Sequence, residues 1–313
     1  MLDFLIRRAL LAAGVVCGTA VAVFLLLYVI PGDPVTMALG PRATQAARVA
    51  YIHRAGLDRS LVEQLWLFLA RLASGDLGTD IWSGRSVAAL VGAALPYTVA
   101  LAITGLGWAV VLGIGFGCLA AGKRRWLDRA VALVSIAFIA VPPFLVAIYC
   151  LLVFAVWLRW FQAIGAGEPG DFAGQAWALV LPSLAVGLGW IGYIARLVRA
   201  SLLEVLQEKH IETARAFGLP ERVILFRYAL PIAIVPAISV IGIGFGALLS
   251  GSVFAEIVFA RPGIGRLVYQ AILERNYPVA SGAIVVTAAL YAAAMLLTDL
   301  AIALLDPRSR AAL

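Results

Sequence analysis

The sequence predicts an all-α membrane protein with six transmembrane helices. Hydrophobic residues make up 63% of the 313 positions and charged residues only 13%. The mean hydropathy of +1.01 lies far above the values of soluble domains. The apolar residues are gathered into successive runs, so we expect a bundle of helices in lipid rather than two soluble domains.

Six apolar runs are long enough to cross a hydrocarbon core about 30 Å thick, at about 1.5 Å per residue. They cover roughly residues 9–30, 97–121, 130–157, 176–198, 229–255 and 279–305. The first run follows a short charged tail, as in a signal peptide. Its length of about 22 residues exceeds the usual apolar region of a signal peptide, so we expect an uncleaved spanning helix.

These spans predict three regions: the N-terminal tail with the first span (1–30), an extracytoplasmic loop with a surface helix (31–96), and a core of five spans (97–313). An even number of spans places both termini on one side. If that side is cytoplasmic, the inside segments hold fourteen Arg and Lys residues and the short outside loops hold four. Basic residues favour the cytoplasmic side, so we expect both termini there.

The long loop contains one amphipathic segment, SLVEQLWLFLARLASG, at residues 60–75. Ser60 and Glu63 have the spacing of a capping box, and Gly75 is suited to end the helix. Leucine and phenylalanine residues recur on one face. We therefore expect a surface helix that lies on the membrane or caps the bundle.

The string GIGFG occurs at 113–117 and again at 242–246, each time inside a predicted span. Small residues four positions apart allow helices to approach closely. GCLAAGK, at 117–123, matches part of a phosphate-binding loop, but Arg124 follows where Ser or Thr is needed. We interpret it as a helix end with a basic anchor.

Several functional classes are disfavoured by what the sequence contains. The net charge of +7 comes from short basic clusters beside apolar runs, which does not resemble a nucleic-acid surface. The three cysteines lie inside apolar runs without a CxxC pair. With two histidines and no motif for a metal, a nucleophile or a nucleotide, we expect no enzyme activity, no cofactor and no metal in this chain.

Two carboxylates are candidates for a translocation path. Asp299 falls toward one end of the last predicted span, and Glu256 lies at the end of the fifth. Ionisable residues inside a membrane are functional candidates by default. The alternatives are that Asp299 reaches water or an arginine, and that Glu256 marks a solvated loop boundary.

The most charged segment, HIETARAFGLPERVILFRYALP at 210–231, separates two apolar stretches. Leu203, Leu206, His210, Ala214 and Phe217 recur at helical spacing, which predicts one apolar face. Gly218 is suited to end this helix and Pro220 to begin another. Glutamates at 204, 208 and 212 form an acidic stripe, which favours a basic partner. The segment is either a solvated connector or a docking element for a partner.

This segment resembles the EAA loop of ABC-importer permeases, whose pattern is EAA, three residues, Gly, nine residues and I-x-L-P. Glu212, Ala214, Gly218, Leu230 and Pro231 match that pattern. Thr213 replaces an Ala, Tyr228 replaces the Ile, and Phe217 stands where many members have Lys. The rest of the chain resembles the dipeptide, oligopeptide and nickel importer group, in PGDP (31–34), GLDRSLVEQ (56–64), GDLG (75–78), PGIGR (262–266) and LLDPRSR (304–310).

The resemblance implies a type I ABC-importer-like permease subunit of a bacterial inner membrane, with a cytoplasmic coupling helix within residues 199–231. It implies coupling through Glu208, Glu212, Thr213, Ala214, Arg215, Phe217, Gly218 and Leu219. It also implies four kinds of partner: a second homologous permease, two ATPases that bind ATP and Mg, an extracytoplasmic substrate-binding protein, and membrane lipid. Dipeptides and oligopeptides are the expected cargo.

Alternatives remain for cargo and for mechanism. Members of this group also carry nickel, metal chelates or glutathione. An ion-coupled secondary transporter would show repeat symmetry, broken helices and ionisable relays, for which only Asp299 and Glu256 qualify. A membrane-embedded enzyme lacks the required side chains, and a structural scaffold would tolerate changes at Glu212 and Gly218.

Overall fold

The computed structural model describes residues 2–29, 34–40, 42–122 and 125–305. Three of the sequence features therefore lie wholly or partly outside the described residues. They are Pro31 to Asp33 of the PGDP motif, the basic pair Lys123 and Arg124, and Asp306 to Arg310 of the LLDPRSR motif.

The described chain is helical and divides into two compact units, residues 1–96 with 263–293 and residues 97–262 with 294–313. The first unit holds α1 (Leu2–Val29), α2 (Pro34–Leu39), α3 (Gln45–Ala55), α4 (Leu61–Ala73) and α13 (Ile264–Leu273). The second holds α6 (Arg125–Ala140), α7 (Pro143–Cys150), α8 (Phe172–Val205), α9 (Lys209–Ala216), α10 (Glu221–Val223), α11 (Leu230–Ala233) and α12 (Val235–Val258). Residues of α5 (Val87–Ala120) and α14 (Tyr277–Leu305) belong to both.

Five described helices are long and apolar enough to cross a membrane: α1, α5, α8, α12 and α14. The predicted third span is instead a pair of helices, Trp126–Ala140 and Pro143–Trp157. The chain bends by 102° at the break between them. The pair raises the number of spans to six when it is counted as one. The predicted span at 130–157 is therefore present as two helices with a break near its middle.

Two adjacent prolines explain the bend. Pro142 and Pro143 have no N–H to donate, and the proline ring displaces the preceding residue from helical geometry. The last helical hydrogen bond at the end of α6 runs from the Val141 N–H to the Ala137 carbonyl, at 3.2 Å. Pro142 adopts φ −57° and ψ 139°, which ends α6 before α7 begins.

Glycines set the packing of α5 against α8 in the second unit. A Cβ added at Gly113 would lie 2.8 Å from the Ile194 side chain, and one added at Gly117 would lie 2.8 Å from Val198. Only glycine allows the two helices to approach this closely. The second GIGFG string behaves alike, because a Cβ at Gly242 would overlap Thr298. The predicted role in close packing is confirmed for Gly113 and Gly117 of the first string and for Gly242 of the second.

The surface helix predicted at 60–75 is α4. The Ser60 hydroxyl accepts from the Glu63 N–H at 3.4 Å, and the Glu63 carboxylate accepts from the Ser60 N–H at 3.1 Å, which completes the capping box. Phe68 packs on Phe24 of α1 with ring centroids 5.6 Å apart. Gly75 follows the helix with φ +81°.

The GDLG motif after α4 forms a tight turn. The Asp76 carboxylate accepts from the Gly78 N–H at 2.9 Å and from the Arg71 guanidinium at 2.9 Å. Both contacts lower the pKa of Asp76, and the hydrogen bond from the Gly78 backbone has the larger effect. The turn is thereby fixed in the first unit, where Gly78 approaches the Pro278 side chain of α14.

Candidate functional site

The segment that resembles the EAA loop forms a corner, which we call the α9 corner (residues 206–221). α8 continues to Val205, and α9 begins at Lys209 after a break at 206–208. The predicted apolar face was wrong, since it assumed one continuous helix and His210 and Phe217 are both exposed. The acidic stripe is likewise divided, because Glu204 belongs to α8 and Glu208 caps α9.

α9 is held by two buried side chains. Ile211 is fully buried and Ala214 is 6% exposed, and both belong to a hydrophobic core with Leu202 of α8 and Ile224. Leu219 packs against the same core from the far side of the corner. One face of α9 is therefore anchored directly to the end of a spanning helix.

Gly218 makes the corner possible. Its φ of +76° lies in the left-handed region that favours glycine. The Gly218 N–H donates to the Arg215 carbonyl at 2.9 Å, and the Leu219 N–H donates to the Ala214 carbonyl at 3.3 Å. These two bonds form a Schellman motif, as the sequence predicted for a helix end at this glycine.

Arg215 links the two sides of the corner. Its Nε lies 3.3 Å from Glu221 Oε1, and its Nη1 donates to the Leu206 carbonyl at 3.4 Å. Thr213 is also engaged locally, since its hydroxyl donates to the Lys209 carbonyl at 3.0 Å. Arg215 therefore joins the segments before and after α9, whereas the Thr213 hydrogen bond lies within α9.

The remaining side chains of the corner face outward. Glu208 and Glu212 are exposed, and Phe217 is 81% exposed. Glu208 Oε2 lies 3.1 Å from His210 Nδ1. The corner therefore exposes one aromatic ring and two carboxylates on the same short segment.

Sequence reasoning missed an ion pair between α6 and α8. Both carboxylate oxygens of Asp128 accept from the Arg199 guanidinium, with Nη2 to Oδ2 at 2.8 Å. Both side chains are about one third exposed. The one signal was that Asp128 is the only acid among the basic residues that follow the second span. The pair joins the start of the bent span to α8, shortly before the α9 corner.

A buried polar cluster lies at the end of α12. Glu256 is completely buried, and its Oε1 accepts from the Thr98 hydroxyl of α5 at 2.6 Å. Arg261 is 3% exposed, and its Nη1 donates to the Ala178 carbonyl of α8 at 3.2 Å. The solvated-boundary interpretation of Glu256 is therefore wrong.

The charges of Glu256 and Arg261 depend on each other. Burial lowers the pKa of the Arg261 guanidinium, and the Glu256 carboxylate and Tyr97 raise it again. Burying one charge without an opposite charge would be far more costly than burying both. The cluster therefore ties α5, α8 and α12 together around one buried pair of opposite charges.

We expect Glu256→Ala to destabilise the protein by about 3–5 kcal/mol, because it leaves Arg261 buried without its counter-charge. Glu256→Gln should cost less, since it keeps an acceptor for Thr98. The melting temperature of the purified protein in detergent measures both, with Glu274→Ala on the exposed end of α13 as the control. An unchanged melting temperature for Glu256→Ala would contradict this role.

The other predicted path residue, Asp299, is half-buried on α14. It lies in the second unit, as the buried cluster does. Among the residues that the structure describes, no three His, Cys, Asp or Glu side chains are grouped so as to hold a metal ion.

Family comparisons match almost the whole chain. Residues 113–311 match the family described as "Binding-protein-dependent transport system inner membrane component". Residues 1–102 match "Binding-prot-dependent transport system membrane comp, N-term".

Curated relatives and solved structures point the same way. The chain is 33% identical over 311 residues to the glutathione transport system permease protein GsiC of Escherichia coli strain K12, covering 99% of each chain. It is 32% identical over 330 residues to the dipeptide transport system permease protein DppB of Alkalihalophilus pseudofirmus, covering 98% of this chain and 99% of that one. An inward-facing structure of the MetNI methionine ABC transporter superposes with a TM-score of 0.58 at 20% identity, over 69% of this chain and 96% of the other.

Proposed function

Because the chain belongs to the family of binding-protein-dependent transport system inner membrane components, and is thus an ABC-importer permease subunit rather than an enzyme, we propose that the α9 corner couples it to a cytoplasmic ATPase. Glu208, Glu212 and Phe217 form the contact surface. Thr213, Ala214, Arg215, Gly218 and Leu219 hold that surface in position.

One observation carries this proposal: α9 is anchored on one face and exposed on the other. Ile211 and Ala214 enter the core, while Glu212 and Phe217 face outward. Phe217, which is 81% exposed, offers a partner an aromatic side chain of the kind enriched at protein interfaces. The matching ATPase groove would present basic side chains and an apolar socket for Phe217.

The packing offers a route for movement from the ATPase to the spans. Ile211 shares its core with Val198 and Leu202 of α8, and α8 packs along α12 and α6. Packed cores shift between discrete arrangements rather than deforming continuously. Displacement of α9 by closure of the ATPases would therefore tilt α8 and its neighbours between inward-facing and outward-facing states.

The complete importer in this proposal has four further kinds of component. They are a second homologous permease, two ATPase subunits that hold ATP and Mg, an extracytoplasmic substrate-binding protein, and the lipid of a bacterial inner membrane. Both termini are cytoplasmic, as the distribution of basic residues favours. The division into regions 1–30, 31–96 and 97–313 is part of this proposal, and the two matched family models meet between residues 102 and 113, near its second boundary.

Dipeptides and oligopeptides are the proposed cargo, with glutathione, itself a peptide, as the nearest alternative. The names of the relatives support this class, since one is a dipeptide permease and another a glutathione permease. Nickel or a metal chelate is the third alternative. Glu256 and Asp299 are proposed as residues of the path or its gate, and the burial of Glu256 against Thr98 favours a gate that stays closed in this state.

Purification of the tagged protein from its native membrane in gentle detergent tests the assembly. We expect an ATPase, a second permease and a binding protein to co-purify with the tagged protein. The same complex in proteoliposomes should transport labelled dipeptide only when ATP is present on the side of the membrane that carries the ATPases. Uptake driven by an ion gradient without ATP would contradict the proposal and favour a secondary transporter.

A further inference from the structure

A cavity of about 230 Å³ lies beside the break in the bent span. Its walls come from α6, α7, α8 and α12, all in the second unit. The walls are mainly apolar, and the floor carries small residues, Gly189 of α8 and Gly251 of α12. A cavity below the roughly 300–1,000 Å³ of drug-sized pockets has room for one residue of a ligand, not for a whole oligopeptide.

The cavity lies halfway along two spans. The break at Val141 and Pro142 is midway between Trp126 and Trp157, and Gly189 is at the middle of α8. Broken helices at the midplane form the ion and substrate sites of many transporters, because their freed backbone groups need partners. The cavity therefore lies at the level of the spans where transporters of this kind bind substrate.

The break leaves backbone acceptors at the cavity wall. Helical carbonyls normally accept from the N–H four residues later. For Phe138 and Ile139, those positions are Pro142 and Pro143, which have no N–H. Both residues line the cavity, and the Phe138 carbonyl oxygen lies 3.5 Å from where a Cβ of Gly189 would be. Such carbonyls are suited to accept hydrogen bonds from a cation.

Two aromatic rings complete the same wall. Trp190 and Tyr193 line the cavity and meet edge to face, with centroids 5.7 Å apart. The Trp190 ring packs closely on Gly244 of α12, since it lies 3.0 Å from where a Cβ on that glycine would be. Aromatic faces attract ammonium groups, most strongly away from water.

We propose that this cavity binds the N-terminal residue of a peptide during translocation, an inference that rests on the proposed peptide cargo. The α-ammonium group meets the carbonyls of Phe138 and Ile139 and the rings of Trp190 and Tyr193. The first side chain enters the apolar space bounded by Gly189 and Gly251. The site therefore favours peptides whose first residue is apolar.

Gly251→Leu tests the apolar half of the site. A Cβ at Gly251 meets nothing within 4 Å, so the larger side chain has open space and occupies the cavity. Gly107→Leu is the matched control, because Gly107 on α5 is also helical and open but does not line the cavity. Each variant is assayed in the complete importer with the isomers Leu-Gly and Gly-Leu, so that only the position of the apolar residue differs.

We expect Gly251→Leu to lower uptake of Leu-Gly about 10- to 200-fold relative to Gly-Leu, the range that an apolar pocket can discriminate. Gly107→Leu should leave the ratio of the two isomers unchanged. Ala247→Leu fills the same cavity from one helical turn away and should repeat the shift, which keeps the test valid if Gly251→Leu fails to assemble.

Tyr193→Leu tests the part of the site that is proposed to hold the α-ammonium group. It should lower uptake of both isomers by about 2- to 30-fold, the range of a cation–π contact, whereas Tyr193→Phe keeps the ring and should retain uptake.

Three results would overturn the proposal. The first is an isomer ratio that does not change in either cavity variant, as expected if a lipid chain fills the space. The second is loss of the second permease from the complex of Gly251→Leu, which would make the cavity part of a subunit interface. The third is a wild-type importer that transports no peptide. Only this last result also removes the proposed peptide cargo, and it leaves the proposed coupling to an ATPase in place.

Discussion

We expect Gly218→Pro to abolish ATP-driven uptake while the protein still inserts into the membrane at normal levels. Proline fixes φ near −65°, whereas Gly218 has φ +76°. Proline also removes the N–H that donates to the Arg215 carbonyl at 2.9 Å. The corner can no longer form, so α9 and Phe217 lose their position. Uptake of labelled peptide and the amount of ATPase that co-purifies are the measurements.

Gly75 offers a closely matched control for this substitution. It follows α4 with φ +81°, donates to the Leu72 carbonyl at 3.0 Å, and has open space around it, as Gly218 does. Gly75→Pro therefore breaks the same type of helix end without touching the α9 corner. If both variants lost uptake equally, the effect would be general damage to folding and the assignment of the corner would fail.

Glu212→Lys should also reduce uptake to background, with little change in stability. Glu212 is exposed and has open surroundings on the outer face of α9, so its replacement leaves the buried contacts of Ile211 and Ala214 intact. A lysine would meet the basic groove expected on the ATPase, where like charges cost several kcal/mol. Co-purification of the ATPase should fall together with uptake.

Glu274→Lys is the control for charge reversal, since Glu274 is exposed at the end of α13 in the first unit. It changes the net charge by the same amount and should transport normally. Normal ATPase binding by Glu212→Lys would show that the carboxylate is not part of the contact. Partial rescue by an acidic residue in the ATPase groove would identify its partner directly.

Local signals in the sequence predicted much of the fold. Ser60 and Glu63 specify a helix start through their own hydrogen bonds, and Gly218 specifies a helix end through its φ angle. Such features depend on residues a few positions apart. GIGFG is a local signal of the same kind, because small residues four positions apart on a spanning helix favour close helix packing.

Features that depend on distant residues were not predictable in the same way. The bend at Pro142 could have been anticipated from two adjacent prolines, but the angle of 102° depends on packing against α8 and α12. The burial of Glu256 depends on Thr98, which is 158 positions away. The face of α9 was misassigned because the break at 206–208 has neither Pro nor Gly.

The glycine contacts between α5 and α8 have a mechanical consequence. Gly105, Gly113 and Gly117 each bring α5 against the α8 backbone or its β-carbons, at Val186, Ile194 and Val198. Two helices locked at three levels resist sliding along each other, because every step would drive a β-branched side chain into backbone. We therefore expect α5 and α8 to rotate together as one rigid pair when one end is displaced, rather than to slide past each other.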